Sequence, residues 1–455
     1  MMKTEILQQL NDAAPFEKRQ TLENLAVSDC AGEYLNVAAQ LLGDKDRGVR
    51  DAAAQFLILQ GSESAAREIV HFITSDDITI RNLAGNTLVK IGAPAVRPLL
   101  PYLDSEDKNV RKFAVDVLAQ LPAQEAIDAI ASHLNDPDPN VVTAVVDALG
   151  MLNGRAYADE LLACYDNAPY LRYNILSTLS GFGEDRFLPL FKKALDDEDP
   201  VVQLAAAEAL VRTNHPEVLP LLISRVDVVN AAARSVLLHS IVTRLMELPP
   251  ETRQPLPPHF KKFFWEMLDD VDPVYLVAAL KGLSLLNGKE HVEKLIDKIG
   301  ISPETDEHIF QLLKNSGIQT LSFLLKAAEE NRITVPKTAR FLIALMAEYA
   351  KTDEYLDQNS AVRRACKFVN ANFHYLDIET KIGALRVFAG FSLPHLNDII
   401  VHALEDMEVI VRSQALEVVA AKGVKQYIGL LQTLKNDEDE FIRDQVMGLL
   451  AKEVN

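Results

Sequence analysis

The chain has 455 residues, 48% of them apolar, with 65 acidic against 46 basic side chains and a formal charge of −19. That balance disfavours a partner held mainly through phosphates, so nucleic acid is not expected and basic proteins are the easier partners. No run approaches the roughly 18 apolar residues of a membrane span, and the first twenty residues lack the apolar core of a signal peptide, so a cytoplasmic protein is expected.

From the N-terminus, Pro15 stands 31 residues before Asp46, and Asp46-Arg-Gly-Val49-Arg50 opens a motif that then returns. It reappears at Asp77, Asp107, Asp138 and Asp199, with Ala168 and Asn230 holding the place of the acid, at steps of 30 or 31 residues. Within one unit, Ala126, Ile127, Ile130 and Leu134 fall at helical spacing, residues 135–139 (NDPDP) stop that helix, and Val141, Ala144, Val145, Ala148 and Leu149 resume the period. Each unit is predicted to be a helix hairpin. The acid is placed to cap the second helix, a following proline fits the first helical position, and Gly61, Gly92, Gly183, Gly288 and Gly423 are placed to end second helices. Each hairpin leaves an apolar side that only the next hairpin can cover.

Beyond Asn230 the expected caps are Asp272, Asp306, Pro336, Asp377, Glu408 and Asp439. Two steps are about ten residues too long. One surplus lies in residues 247–259, which carry five prolines and are expected to form an exposed loop; the other is a polar connector at 351–360. The expected organisation is therefore a regular solenoid over 1–246, a proline-rich loop over 247–259 and a less regular solenoid over 260–455. Counting caps gives thirteen repeats, or fourteen with Pro15. Apolar residues at 260, 263, 264, 267 and 268 around Trp265 read as a buried first helix.

These units resemble HEAT repeats of the phycobilisome-lyase type, which read much like DPxVRxxAAxAL followed by glycine; residues 199–210, DPVVQLAAAEAL, come nearest. The resemblance implies an all-α, right-handed α-solenoid, with first helices on the convex side and second helices lining the concave side. It also implies an alternative function, a lyase-like or chaperone-like protein acting on a tetrapyrrole-bearing or modified protein partner.

The arginines after the motif, among them Arg50, Arg81, Arg111, Arg172, Arg234, Arg340, Arg412 and Arg443, are expected to pair with equally periodic loop acids rather than to bind anions. Positions that recur in place but vary in type are better candidates. Six residues after the motif's valine stand Gln55, Asn86, Asp116, Asp147, Ser177 and Glu208, polar in each repeat; two after it stand Asp51, Asn82, Lys112, Thr143, Tyr173 and Leu204. Of these, Asn86, Asp116, Asp147, Tyr173, Ser177 and Glu208 are the candidate partner-binding residues, forming a concave ridge suited to a basic or extended protein segment. Cys30, Cys164 and Cys366 are far apart and read as packing residues. Histidines are dispersed, and Glu290-His291 and Glu307-His308 invert the order that HEAT-like di-iron hydroxylases repeat. No H-E-x-x-H, Walker, G-x-S-x-G or G-x-G-x-x-G motif occurs, so neither metal, cofactor nor catalytic residues are expected. The expected function is a non-enzymatic interaction scaffold.

Overall fold

The computed structural model describes residues 3–270, 272–286, 292–351, 356–391 and 396–453. Among them it contains 28 α-helices and no strand. Taken in order, the helices pair into fourteen hairpins, and the first is the degenerate unit expected around Pro15: Lys3–Asp12 followed by Pro15–Ala26. The chain is an all-α solenoid.

It divides into two compact units, Met1–Leu237 and Leu238–Asn455. The division falls inside the helix Ala231–Glu247, ahead of the boundary expected at residue 246. That helix has 17 residues against the 13 of Pro200–Arg212, and its later turns belong with the next hairpin, where His239 meets Tyr275 edge to face at 6.0 Å.

The second helices form because their periodic signals agree. Asp46, Asp77, Asp107, Asp138, Asp199, Asp272 and Asp377 each accept a hydrogen bond from a first-turn backbone N–H, meeting donors that no helical carbonyl can reach. Gly61 and Gly183 end their helices at φ of 52° and 67°, a conformation that costs a residue with a Cβ. The first helices are shorter and tighter than expected. Ile127–Ala131, for example, is a single α-turn between the 3-10 stretches Gln124–Ala126 and Ser132–Asn135.

Three expected starts are corrected. At Ala168 no side chain can cap, and the chain passes through the 3-10 turn Pro169–Leu171 before helix Arg172–Phe182 begins. Asp306 lies inside helix Pro303–Ser316, which Ser302 caps; its carboxylate instead takes the Gly300 N–H at 2.6 Å. Pro336 occupies the first turn of Val335–Tyr349 behind Thr334. Glu408 holds its expected cap position, without a side-chain bond. Gly288, the Glu290-His291 pair and part of the 351–360 connector lie outside the described residues.

Packing is between neighbours. Arg47–Gln60 lies on Ile78–Ile91, and Pro139–Met151 lies between Lys108–Leu118 and Arg172–Phe182; in the second unit, Ile378–Ala389 lies between Val335–Tyr349 and Val409–Lys422. Phe56, Phe182, Phe187 and Phe191 fill the first unit's core, and Phe260, Phe264, Phe373 and Phe388 the second's. The aromatic tract is thus a core helix, as expected: Phe260, Phe263, Phe264, Met267 and Leu268 are buried, and the Phe264 ring sits so close to Gly282 that a Cβ there would collide with it. The proline-rich segment is less free than a bare loop. Arg253 donates to the Leu248 carbonyl at 3.0 Å and to that of Met246 at 3.4 Å, and Leu256 is buried.

The loops add a second, polar lock. Asp44, Asp136, Asp197, Asp270, Asp406 and Asp437 each accept the N–H of the residue two further on, at 2.8 to 3.1 Å. Five of these carboxylates also take a cation from the preceding repeat: Lys18–Asp44, Arg111–Asp136, Arg172–Asp197, Lys381–Asp406 and Arg412–Asp437. Arg111, Arg172 and Arg412 thus pair with loop acids as expected, whereas Arg50, Arg81, Arg234 and Arg443 donate to loop carbonyls. Arg111 is the clearest case, meeting Asp136 through Nε and Nη2 at 2.7 and 2.9 Å while Nη1 donates to the carbonyls of Ser105 and Glu106. That bidentate bond holds Asp136 below the usual carboxylate range.

Val141 is completely buried at the start of its helix. Val141→Asp places an unpaired carboxylate there and is expected to cost several kcal/mol, on the order of 3, with damage spreading from one repeat to its neighbours. Chemical denaturation checks this: a midpoint equal to that of the wild type contradicts the packing described.

Candidate functional site

The recurring polar position is displayed on the surface in all six repeats, although its neighbours are core. Ala54 and Phe56 flank Gln55, Val115 and Val117 flank Asp116, Val146 and Ala148 flank Asp147, and Ala207 and Ala209 flank Glu208; all eight flanking residues are buried. Gln55, Asn86 and Ser177 are exposed, whereas Asp116, Asp147 and Glu208 are half-buried. In the parallel row Asp51, Asn82 and Tyr173 are exposed and Lys112, Thr143 and Leu204 half-buried, Tyr173 at 43%. All of them stand on second helices of the first unit.

The structure brings part of this row together. Lys112 Nζ lies 2.7 Å from Asp116 Oδ2 within one helix, and Asn174 Nδ2 donates to Asp147 Oδ1 at 2.8 Å from the next repeat. Burial pushes the Asp147 carboxyl up; the Asn174 bond opposes that, the Asp116 charge adds to it, and Lys112 opposes it. The acidic part of the row is thus a pair of neighbouring carboxylates, one of them partly desolvated, with a single lysine beside them. Among the described residues, Glu208, Ser177, Asn86 and Tyr173 take no part in the hydrogen bonds of that pair.

Other polar groups also meet across repeats, out of reach of short-range spacing. His374 and His402, one repeat apart, have ring centroids 4.9 Å apart. In the second unit a cleft of 310 Å³ is lined by His239, Thr243, Lys281 and Glu304. There Lys281 Nζ is 3.3 Å from Glu304 Oε1, and burial followed by the Lys281 charge pulls the pKa of both His239 and His308 down. A cleft of 640 Å³ in the first unit lies among Asp128, Val142, Tyr157, Glu160, Cys164 and Tyr170, chiefly on the side of the first helices. Signals for these sites were present only as residues of matching repeat phase. Cys366 is buried as expected of a packing residue, its thiol pushed up to about 12, but Cys30 is exposed. Among the described residues no group of three or more His, Cys, Asp or Glu could hold a metal ion, and no helix is long and apolar enough to cross a membrane.

The stretches 96–170 and 158–241, which contain most of this site, match the HEAT repeats family. Residues 96–241 thus carry HEAT repeats. Two relatives match part of the chain. The uncharacterized phycocyanin operon protein Z of Pseudanabaena tenuis is 27% identical over 157 residues, 32% of this chain and 77% of that one. A HEAT repeat-containing taxis protein of Halobacterium salinarum is 28% identical over 153 residues, and the match spans 35% of its length and 33% of this chain. Among solved structures, a homology model of the full-length AP-3 complex in an intermediate open conformation aligns with a TM-score of 0.54 at 11% identity, over 96% of this chain and 94% of that one. At that identity the likeness concerns the fold alone.

Because burial raises the Asp147 pKa above its unfolded value, the protonated form favours folding. The associated stability is present below about pH 4, the unfolded value, and is lost as pH rises through the folded one. Asp147→Asn, which keeps an oxygen for Asn174, is therefore expected to stabilise the protein at pH 7 and to lose that advantage near pH 3. Thermal denaturation of both proteins across that range tests it, and an advantage that grows toward low pH contradicts the assignment.

Proposed function

We propose that the protein is a non-enzymatic scaffold whose second-helix face in the first unit holds a segment of a protein partner. One observation carries this reading: a row of side chains, one per repeat, stays at the surface between core neighbours in six successive repeats while its chemistry changes from Gln to Asn, Asp, Ser and Glu. Stacking requires uniform residues, and packing places no demand on these; a partner running along the repeats would read them one by one.

The charge of −19 and the Asp116–Asp147 pair favour a basic, extended segment. Such charges steer encounter more than they fix affinity. Exposed pairs contribute only about 0 to 1 kcal/mol each, so affinity would rest on apolar contacts of the kind Tyr173 and Leu204 offer. The expected compartment is the cytoplasm.

The likeness to phycocyanin operon protein Z favours a second reading, a lyase-like or chaperone-like protein handling a tetrapyrrole-bearing partner. Adding bilin or haem to the purified protein separates the two, since a shift in the visible spectrum supports the second reading and an unchanged spectrum supports the scaffold.

Affinity purification from the native host followed by mass spectrometry supplies the partner. The combined variant Asp116→Lys, Asp147→Asn and Glu208→Lys is then expected to slow association by about tenfold at low salt, with the difference shrinking at high salt. Unchanged kinetics in a folded variant would remove the partner from this face.

A further inference from the structure

The row of polar residues four after each cap, which bond the loops, is interrupted at one place in the regular unit. Four residues after each cap position stand Arg50, Arg81, Arg111, Arg172 and Arg234, or Gln203, whose amide takes over the task by bonding the Asp197 carbonyl and Asn230. In the repeat capped by Asp138 the same position is Val142. In the next repeat the acid at the loop-carboxylate place, Asp166, lies within helix Ala158–Asn167 and pairs with Lys193 at 2.9 Å. Where an arginine and its acid would lie, the structure has the 640 Å³ cleft, with Val142 among its walls.

The walls have a definite chemistry. Ala131, Leu134, Val142 and Leu171 are buried apolar residues. Tyr157 donates to Asp128 at 2.7 Å, which fixes one aromatic wall, and Tyr170 stands 53% exposed as another. Asp128 and Glu160 bring two exposed carboxylates, and neither lysine nor arginine lines the cleft. Its volume lies within the roughly 300–1,000 Å³ typical of ligand sites.

We propose that this cleft is a docking site for an arginine side chain presented by a partner protein segment. Charge complementarity selects a cation, since two carboxylates face the opening of a strongly acidic chain. Apolar walls accommodate the methylene stem. Arginine fits better than lysine because its planar guanidinium stacks on tyrosine rings and pairs bidentately with carboxylates. The chain uses both contacts itself: Arg172 lies over the Tyr165 ring at 5.4 Å, and Arg111 grips Asp136 with two nitrogens. The partner's arginine would occupy the space left by the arginine this repeat lacks. Since the cleft lies chiefly among first helices and loops, its failure would leave the second-helix face untouched.

Cys164 lines the cleft and reports its occupancy. In a Cys30→Ser background, with Cys366 buried, the rate of N-ethylmaleimide labelling at Cys164 is measured with and without millimolar acetyl-Gly-Arg-Gly-amide, and with the lysine and glutamine counterparts. The arginine peptide is expected to slow labelling several-fold, the lysine peptide less, and the glutamine peptide not at all. Val142→Arg, which supplies the missing ladder residue from within, is expected to abolish protection. Should that variant fold poorly, Glu160→Gln with Tyr170→Ala removes the recognition from exposed positions and is expected to give the same loss. Equal rates with all three peptides, or full protection by the arginine peptide in the Glu160→Gln, Tyr170→Ala protein, would overturn the proposal.

Discussion

A short helix hairpin with two apolar sides cannot bury both of them, and the rest of this molecule follows from that constraint. Burial is supplied by the next hairpin, so every repeat is both a client and a support of its neighbours. Apolar contact alone is non-directional and would let one hairpin slide on another. The loops remove that freedom. A carboxylate such as Asp136 is bound at once by the backbone two residues on and by an arginine one repeat back, so the rung sets the offset between repeats as well as adding attraction. Its burial makes this directional: only 2% of the Asp136 side chain and 6% of Asp437 are exposed, and a displaced partner would leave a charge dry and unpaired.

Once stacking is fixed this way, freedom remains only where neither core nor rung is involved. In the first unit that is the row through Asn86, Asp116, Asp147, Ser177 and Glu208, and its chemistry there is acidic or neutral. In the second unit, Lys281 stands nine residues after its cap Asp272, the phase that Asp116 and Asp147 occupy after theirs, and the surface there carries histidine and lysine instead. The phase is thus basic at Lys281 and acidic again at Glu417, nine residues after Glu408. Such variation is what a stacking requirement would not produce and a sequence of different contacts would.

Much of this was legible in the sequence because caps, glycines and apolar period coincide. Asp138-Pro139 with Val141 specifies where a helix starts and which side is buried, and the structure agrees at each Asp-capped repeat of the first unit. Spacing failed where chemistry at a neighbouring residue was stronger. Ser302-Pro303 offers a capping hydroxyl and a preset first turn, and it outcompetes Asp306, which the 30-residue step had singled out. Ala168 shows the opposite limit, a correct phase with no side chain able to cap. Half-burial of Asp116, Asp147 and Glu208 was not legible either. A polar residue at a surface phase reads as solvated, whereas its exposure depends on how closely the adjacent helix approaches, as Asn174 approaches Asp147. The cleft beside Val142 is visible only after the rungs are known, because a valine in a helix is unremarkable until six other repeats show a cation or a glutamine at its place.

A carboxylate that burial disfavours and that no arginine neutralises works against folding, and Asp147 is such a group. Its neighbours show that the fold has the means to avoid this: in the loop of the same repeat, Asp136 receives a bidentate arginine, and two repeats later Asp197 receives Arg172. At Asp147 the only direct bond is a neutral amide from Asn174, and the nearby Asp116 makes its charged form less favourable still. Stacking gains nothing from that arrangement, because the position is at the surface and an asparagine would satisfy the same bond. A cation arriving from outside would favour the charged form of Asp147, so the imbalance left in the row has the sign that a basic partner would remove.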